Sequence, residues 1–164
     1  MNQPNSQQKP TAPTKPENSD YLQPYSLDYY AQAIVLKYRD EKNVLNESHK
    51  MRMAVAYGLE RFWGEHLRLQ REKQRETKRK GEYWKDVWDK LAEILKTAEM
   101  ELPNDKLTID DTDKIQKMAE KIWKMSLPEQ RVALMVLTQF CDSLVWWTQR
   151  YKKKDSGVTG QNSE

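Results

Sequence analysis

The chain has 164 residues, 32% of them charged and 37% apolar, and a net charge of +3, as expected for one polar globular domain. Its single cysteine excludes a disulfide framework within one chain and favours a reducing compartment, the cytoplasm. We expect no secretory signal, because the N-terminus has no apolar h-region. We expect no membrane span, because no uncharged run approaches the ~20 apolar residues that crossing a bilayer requires.

Both ends of the chain are predicted to be disordered tails. Residues 1–24 contain five prolines among Asn, Gln, Ser and Thr, and such a segment buries too little apolar surface to offset the entropy of ordering. Residues 155–164 form the second tail. The sequence therefore predicts one helical bundle domain over residues 25–154.

Two helices are predicted in the first part of this domain. The first begins near Ser26, and its apolar face comprises Leu27, Tyr30, Ala31, Ile34 and Tyr38. After the polar connection Arg39–Asn43, the second has an apolar face made of Val44, Met51, Val55, Leu59, Phe62, Trp63 and Leu67. Gly58 and Gly64 interrupt that helix, as bends or as points of close approach. After Leu69 apolar residues no longer recur, and the helix is predicted to continue as a basic extension to Lys80.

Gly81 is predicted to separate this extension from a third helix. The apolar residues of that helix are Trp84, Val87, Trp88, Leu91, Ile94, Leu95 and Ala98, and Leu102-Pro103-Asn104 is predicted to end it. Thr108 and Asp111 resemble a capping box for a fourth helix, whose apolar residues are Ile115, Met118, Ala119, Ile122 and Trp123.

The most apolar segment is the fifth predicted helix, which follows Ser126. Ser126 and Glu129 have the spacing of a capping box, and Pro128 stands in the first turn, where its missing N–H costs nothing. Apolar residues then cover most of the helix until the basic end Arg150–Lys154, which indicates the buried centre of a bundle. With no strand-like alternation of useful length, the fold class is all-α, a compact bundle of about five helices.

Charge is distributed unevenly along the chain. Arg68–Lys80 contains seven basic and two acidic residues, whereas Glu82–Lys114 contains ten acidic and five basic residues. Closely spaced Arg and Lys side chains bind phosphates without regard to base sequence. The predicted nucleic-acid contacts are Arg68, Arg71, Lys73, Arg75, Lys78, Arg79, Lys80, Arg150, Lys152, Lys153 and Lys154. The alternative is a solvated helix face on which Glu72 and Glu76 pair with neighbouring bases, and no aromatic residue lies within Arg68–Lys80 to stack on a nucleobase.

Other candidate chemistry is sparse. Arg61 and His66 have the Arg-x4-His spacing of HEPN-type ribonucleases, although that family usually has a polar residue where Phe62 stands. Two residues at the edge of an apolar helix are the simpler explanation of this pair, since the spacing arises easily by chance. We predict no metal site and no cofactor. Cys141 is expected to be a core residue.

Two segments resemble the small helical subunit of type III CRISPR effector complexes. The final segment VALMVLTQFCDSLVWWTQRYKKK is similar to the last helix of that subunit, and Met51–Leu67, with its Gly58-Leu59 pair, is similar to its second helix. The resemblance implies a non-enzymatic RNA-binding subunit that contacts the guide–target backbone, other subunits and copies of itself. The proline-rich tail and the long basic extension depart from that family. A helical assembly factor without a nucleic-acid role and a HEPN-type ribonuclease are the alternatives.

Overall fold

The computed structural model describes residues 24–154, and this range contains six α-helices. They are α1 (Pro24–Tyr38), α2 (Glu47–Ala54), α3 (Leu59–Gln70), α4 (Arg75–Thr97), α5 (Thr112–Trp123) and α6 (Leu127–Tyr151). Two short 3-10 turns, Val44–Asn46 and Val55–Tyr57, flank α2. No strand occurs between residues 24 and 154, so the all-α prediction is confirmed. Apart from Pro24, the two predicted tails lie outside the described residues.

The prediction that the last helix forms the core is confirmed. α6 packs mainly against α1 and α2, and its fully buried residues include Leu137, Phe140 and Leu144. The capping box that starts α6 is also present: the Glu129 N–H donates to Ser126 Oγ (3.3 Å), and the Ser126 N–H donates to Glu129 Oε2 (2.9 Å). One side of α6 still faces solvent, because Met135 and Trp146 are exposed.

The second predicted helix is in fact two helices that separate at Gly58. This residue has φ +95° and ψ 169°, a backbone conformation that residues with a Cβ rarely adopt. The helical periodicity continues on either side of Gly58, which explains why a single helix was predicted. Gly64 lies inside α3, and a Cβ placed on it would meet no atom within 4 Å, so it is not a point of close approach.

The predicted helix boundary at Gly81 is wrong. α3 ends at Gln70, residues 71–74 form a turn, and α4 begins at Arg75 and passes through Gly81. A Cβ placed on Gly81 would lie 2.7 Å from the Cγ of Gln70 and 2.9 Å from its backbone nitrogen. Glycine therefore allows α4 to fold back closely onto the end of α3, and the basic extension is divided between a turn and the first turns of α4.

Two further boundaries differ from the prediction. α4 ends at Thr97 rather than at Leu102-Pro103-Asn104, because Glu99 has φ +57° and the Met100 N–H donates to the Leu95 carbonyl (3.0 Å). Asp111 accepts hydrogen bonds from the backbone and hydroxyl of Thr108, but this pair closes a turn that precedes α5.

The bundle places opposite charges at opposite ends of α4. Its first turns carry the basic residues, whereas the loop that follows it contains Glu99, Glu101 and Asp105. That loop is held against α4, since Trp88 Nε1 donates to the Pro103 carbonyl (3.1 Å).

Candidate nucleic-acid interface

The loop 39–46, between α1 and α2, connects the two basic stretches that the sequence identifies. On one side, Glu41 accepts from Arg79 Nε (3.1 Å) and lies 3.5 Å from Arg75 Nη2, both at the start of α4. On the other side, Arg39 Nε donates to the backbone carbonyl of Tyr151 (2.8 Å), and Lys153 pairs with Asp40. Residues 71–80 and 150–154 therefore lie at the same end of the bundle.

We call this region the cationic end and define it as residues 39–46, 71–80 and 150–154. It contains twelve basic and four acidic side chains, a local charge of +8. Since the entire chain carries only +3, all remaining residues together are net negative. The charge of this end is therefore concentrated well beyond what the overall composition suggests.

Some of the predicted contacts are engaged in the fold. Arg79 is mostly buried, pairs with Glu41 and Glu82, and lies 4.9 Å above the ring of Tyr38. Lys80 is also mostly buried and donates to Glu76 Oε1 (3.0 Å). Arg79 links α4 to Glu41 and Tyr38, whereas the pair of Lys80 lies within α4. Both side chains have little capacity left for an external phosphate.

Arg68 lies in the last turn of α3, just before residues 71–80 of the cationic end, and its guanidinium is already paired. Its Nε and Nη2 reach the two carboxylate oxygens of Glu65 at 2.9 Å and 2.5 Å. This bidentate pair occupies the same donors that would bind a phosphate, so Arg68 is, like Arg79, already engaged by a carboxylate.

The accessible charges are those on the outer side of the cationic end. Among the described residues, Lys73, Lys78 and Lys154 are exposed and form no ion pair within 4.0 Å. The Arg75 side chain is 83% exposed, and its contact with Glu41 is long. Arg71 is exposed and lies 3.9 Å from Glu72. Lys152 is exposed and donates to the neutral amide of Asn46 (2.5 Å), not to a carboxylate.

Arg39, Lys42 and Trp146 were missed by the sequence analysis. Arg39 and Lys42 are exposed on the loop 39–46, which reads only as a polar connection in the sequence. Trp146 lies on α6 near its basic end, and the Arg150 guanidinium stacks 3.2 Å from the centroid of its ring. The sequence shows a Trp146-Trp147 pair, whose members must point in different directions, but it does not tell which of them is exposed.

Arg61 and His66 do not meet at one surface. Arg61 is exposed and lies 5.8 Å from the ring of Tyr57, whereas His66 is only 3% exposed and its Nδ1 donates to the backbone carbonyl of Trp63. Five residues along a helix rotate the side chain by ~140°, which directs the two groups to different sides of α3. Burial lowers the pKa of His66, and this favours a neutral imidazole. The arrangement lends no support to the ribonuclease alternative, which only a cleavage assay tests.

Cys141 is fully buried, as expected for a core residue. Burial raises the pKa of its thiol, so it remains protonated and unreactive. Within the part of the chain that the structure describes, no three His, Cys, Asp or Glu side chains come together as a metal site would require.

None of the helices in residues 24–154 combines the length and apolar character needed to cross a membrane. Comparisons with protein-family models, curated proteins and solved structures yield no significant match to this chain.

Proposed function

We propose that this chain is a non-catalytic RNA-binding structural subunit of a CRISPR-type ribonucleoprotein effector complex. The RNA-binding part is carried by one observation: the two basic stretches 71–80 and 150–154 meet at the cationic end. Membership of a CRISPR complex, with other subunits and copies of the chain as partners, is supported by the resemblance of α6 and of Met51–Leu67 to that small subunit. A cytoplasmic location fits the buried, reduced Cys141.

The separation of charge supports binding of a polyanion at the cationic end. α4 contains 23 residues and is therefore about 34 Å long, with acidic residues following its far end. The Debye length is only about 10 Å at 0.1 M salt. The acidic residues beyond the far end of α4 are too distant to neutralise the cationic end, which therefore attracts an RNA backbone.

The chemistry of this surface suits contacts to the backbone and not base-pair recognition. Lysine is a flexible point charge, and Lys73, Lys78 and Lys154 contact phosphates without fixing a base. In an RNA-guided complex this is sufficient, because base pairing between guide and target supplies the sequence specificity.

The proposal is tested by replacing Lys73, Lys78 and Lys154 together with glutamine and measuring the binding of fluorescently labelled single-stranded RNA by polarisation over a range of salt concentrations. For single strands, the logarithm of the binding constant falls with the logarithm of salt by about 0.7 per phosphate contact. Loss of three contacts should weaken binding and reduce this salt slope by about 2.

A matched control replaces Lys96, Lys106 and Lys117 with glutamine. These lysines are also exposed and form no ion pair among the described residues, but they lie outside the cationic end. We expect this variant to keep the wild-type salt slope. Equal weakening by both variants, or by neither, would contradict the proposed surface.

The assembly-factor alternative is favoured by one specific feature of α1. Tyr29, Ala33 and Leu36 follow each other at helical spacing and are all exposed, and Tyr29 is 69% exposed. An apolar row of this kind is typical of a contact with another protein. If the protein binds no RNA in low salt but self-associates or captures a partner through this row, the assembly function replaces the RNA-binding one.

A further inference from the structure

Trp146 is an aromatic side chain that the fold leaves in solvent. It is 52% exposed on α6, and its only aromatic or cationic neighbour in the described residues is Arg150, stacked at 3.2 Å. The adjacent Trp147 behaves differently: it is partly buried, stacks on Tyr151 (5.4 Å between centroids) and donates from Nε1 to Asp28 (3.2 Å). Trp147 thus belongs to the α1–α6 contact, whereas Trp146 has no comparable role in the packing.

The exposed ring lies close to the cationic end. Lys152 is six positions after Trp146, which corresponds to about 9 Å along the helix axis. One turn earlier, Asp142 is paired with Arg52 (2.5 Å), which offsets its negative charge. The ring is therefore flanked by a cation on one side and a neutralised acid on the other.

We infer that Trp146 and Arg150 form a stacking platform for an unpaired nucleobase of a single-stranded RNA segment whose phosphates lie along the cationic end. This inference rests on the proposed RNA-binding function and adds that the RNA at this position is single-stranded. Bases in a duplex are already stacked on each other and are not available to the ring. An aromatic ring next to lysines is the usual arrangement of single-strand binding sites, and a stacked guanidinium extends the flat surface.

The surroundings of Trp146 favour a base over a protein partner. Its exposed neighbours within one turn are Asp142, Gln149 and Arg150, all polar or charged. A protein-docking site would present several apolar side chains together, as Tyr29, Ala33 and Leu36 do on α1. An exposed indole whose exposed neighbours along α6 are polar suits a flat polar ligand with an anionic backbone.

The experiment measures the binding of labelled oligouridine and of a labelled RNA duplex to Trp146→Ala, Trp146→Phe and wild-type protein. One lost stacking contact weakens binding at least about five-fold. Trp146→Ala should show this loss with oligouridine and none with the duplex. Trp146→Phe should recover most of the affinity, because phenylalanine still presents an aromatic face.

Trp123→Ala is the matched control. Trp123 is 65% exposed and ends α5, roughly 30 Å from Trp146 as judged from the length of α6. We expect oligouridine binding to be unchanged in this variant. A second readout does not depend on the alanine variant folding: oligouridine should quench the tryptophan fluorescence of the wild type more than that of Trp146→Phe.

Failure of the inference is distinguishable from failure of the proposed function. If Trp146→Ala binds oligouridine like the wild type while the Lys73, Lys78 and Lys154 variant is weakened, the platform is refuted and RNA binding stands. If neither change affects RNA binding, both are refuted. Three other outcomes would refute the platform. Trp146→Ala could lose equal affinity for oligouridine and for the duplex, or oligouridine could quench the fluorescence of the wild type and of Trp146→Phe equally. Trp146→Ala could also lose self-association while its RNA binding stays intact.

Discussion

His66 is a basic side chain that the fold keeps almost entirely from water. Its contacts on α3 are the Trp63 carbonyl, reached by Nδ1, and the Trp63 ring, 5.6 Å away between centroids. Burial lowers its pKa below the ordinary value of 6.5, because a charged imidazole is poorly solvated there. The unfolded chain therefore binds a proton at a higher pH than the folded chain does.

The free energy of unfolding is predicted to fall as the pH is lowered through 6.5, the ordinary pKa of histidine. The contribution of His66 to the free energy of unfolding is fully present above pH 6.5. It declines below that pH, by at most about 1.4 kcal/mol per pH unit for one proton. Urea unfolding between pH 7.5 and pH 5.5, roughly one unit on either side of 6.5, measures this slope. His66→Gln should flatten it, whereas His49→Gln, at an exposed position, should not. A wild-type stability that does not change over this range would contradict the prediction.

At the scale of the helices, Gly81 determines how closely α3 and α4 approach each other. Glycine inside a helix normally costs about 1 kcal/mol relative to alanine. At Gly81 that cost is outweighed, because an added Cβ would lie 2.9 Å from the Gln70 backbone nitrogen and 3.0 Å from the Leu69 Cβ. Backbone atoms cannot yield as a flexible side chain can.

Gly81→Ala is therefore predicted to destabilise the protein by about 1–3 kcal/mol, as overpacking usually does. Gly64→Ala is the matched control within α3. An added Cβ there meets no atom within 4 Å, and the substitution should be neutral or stabilising by up to about 1 kcal/mol. Thermal unfolding of both variants checks the pair. A Gly81→Ala protein as stable as the wild type would show that the two helices can separate at no cost.

At the scale of the whole molecule, a buried hydroxyl cluster joins helices that are distant in the sequence. Ser48 Oγ on α2 forms hydrogen bonds with Tyr83 on α4 (2.6 Å) and with Thr148 on α6 (2.7 Å). All three side chains are buried, and burial raises the pKa of the Tyr83 phenol, so it stays protonated. Because each polar atom has a partner, the cluster fixes the relative positions of the three helices at little desolvation cost.

Tyr83→Phe is predicted to lower the free energy of unfolding by about 1 kcal/mol, the net value of one hydrogen bond, because Ser48 keeps its bond to Thr148. The midpoint of urea unfolding should decrease with an unchanged m-value. The control is Tyr29→Phe, which removes the same hydroxyl from an exposed ring and should change stability by less than about 0.5 kcal/mol. Equal stabilities of the two variants would mean that the cluster contributes nothing.

The clustering of positive charge at one end of the molecule also depends on the fold. The basic residues of 71–80 and 150–154 are about seventy positions apart in the chain, and the loop 39–46 brings them together through Glu41, Asp40 and Arg39. The same contacts occupy Arg79 and Lys153, so assembling the cationic end uses part of its charge. Lys73, Lys78 and Lys154 remain for a ligand.

The sequence by itself determined the fold class and the central helix. The Ser126–Glu129 capping box and the apolar spacing of α6 are local patterns, because each depends only on residues within a turn or two. The apolar face of α5 is likewise a local pattern. Trp123 is the exception: the pattern includes it, but it is 65% exposed beside the buried Ile122. Such patterns survive in any arrangement of the helices.

Only the tertiary structure decided the helix boundary near Gly81, the engagement of Arg79 and the exposure of Trp146. Each depends on an atom supplied by another segment: the Gln70 backbone for Gly81, and Glu41 with the Tyr38 ring for Arg79. Trp146 is exposed because α1 packs against the adjacent face of α6, where Trp147 meets Asp28. Periodicity identifies the apolar face of a helix, but it does not specify which neighbour covers that face or which residues at its edge stay in solvent.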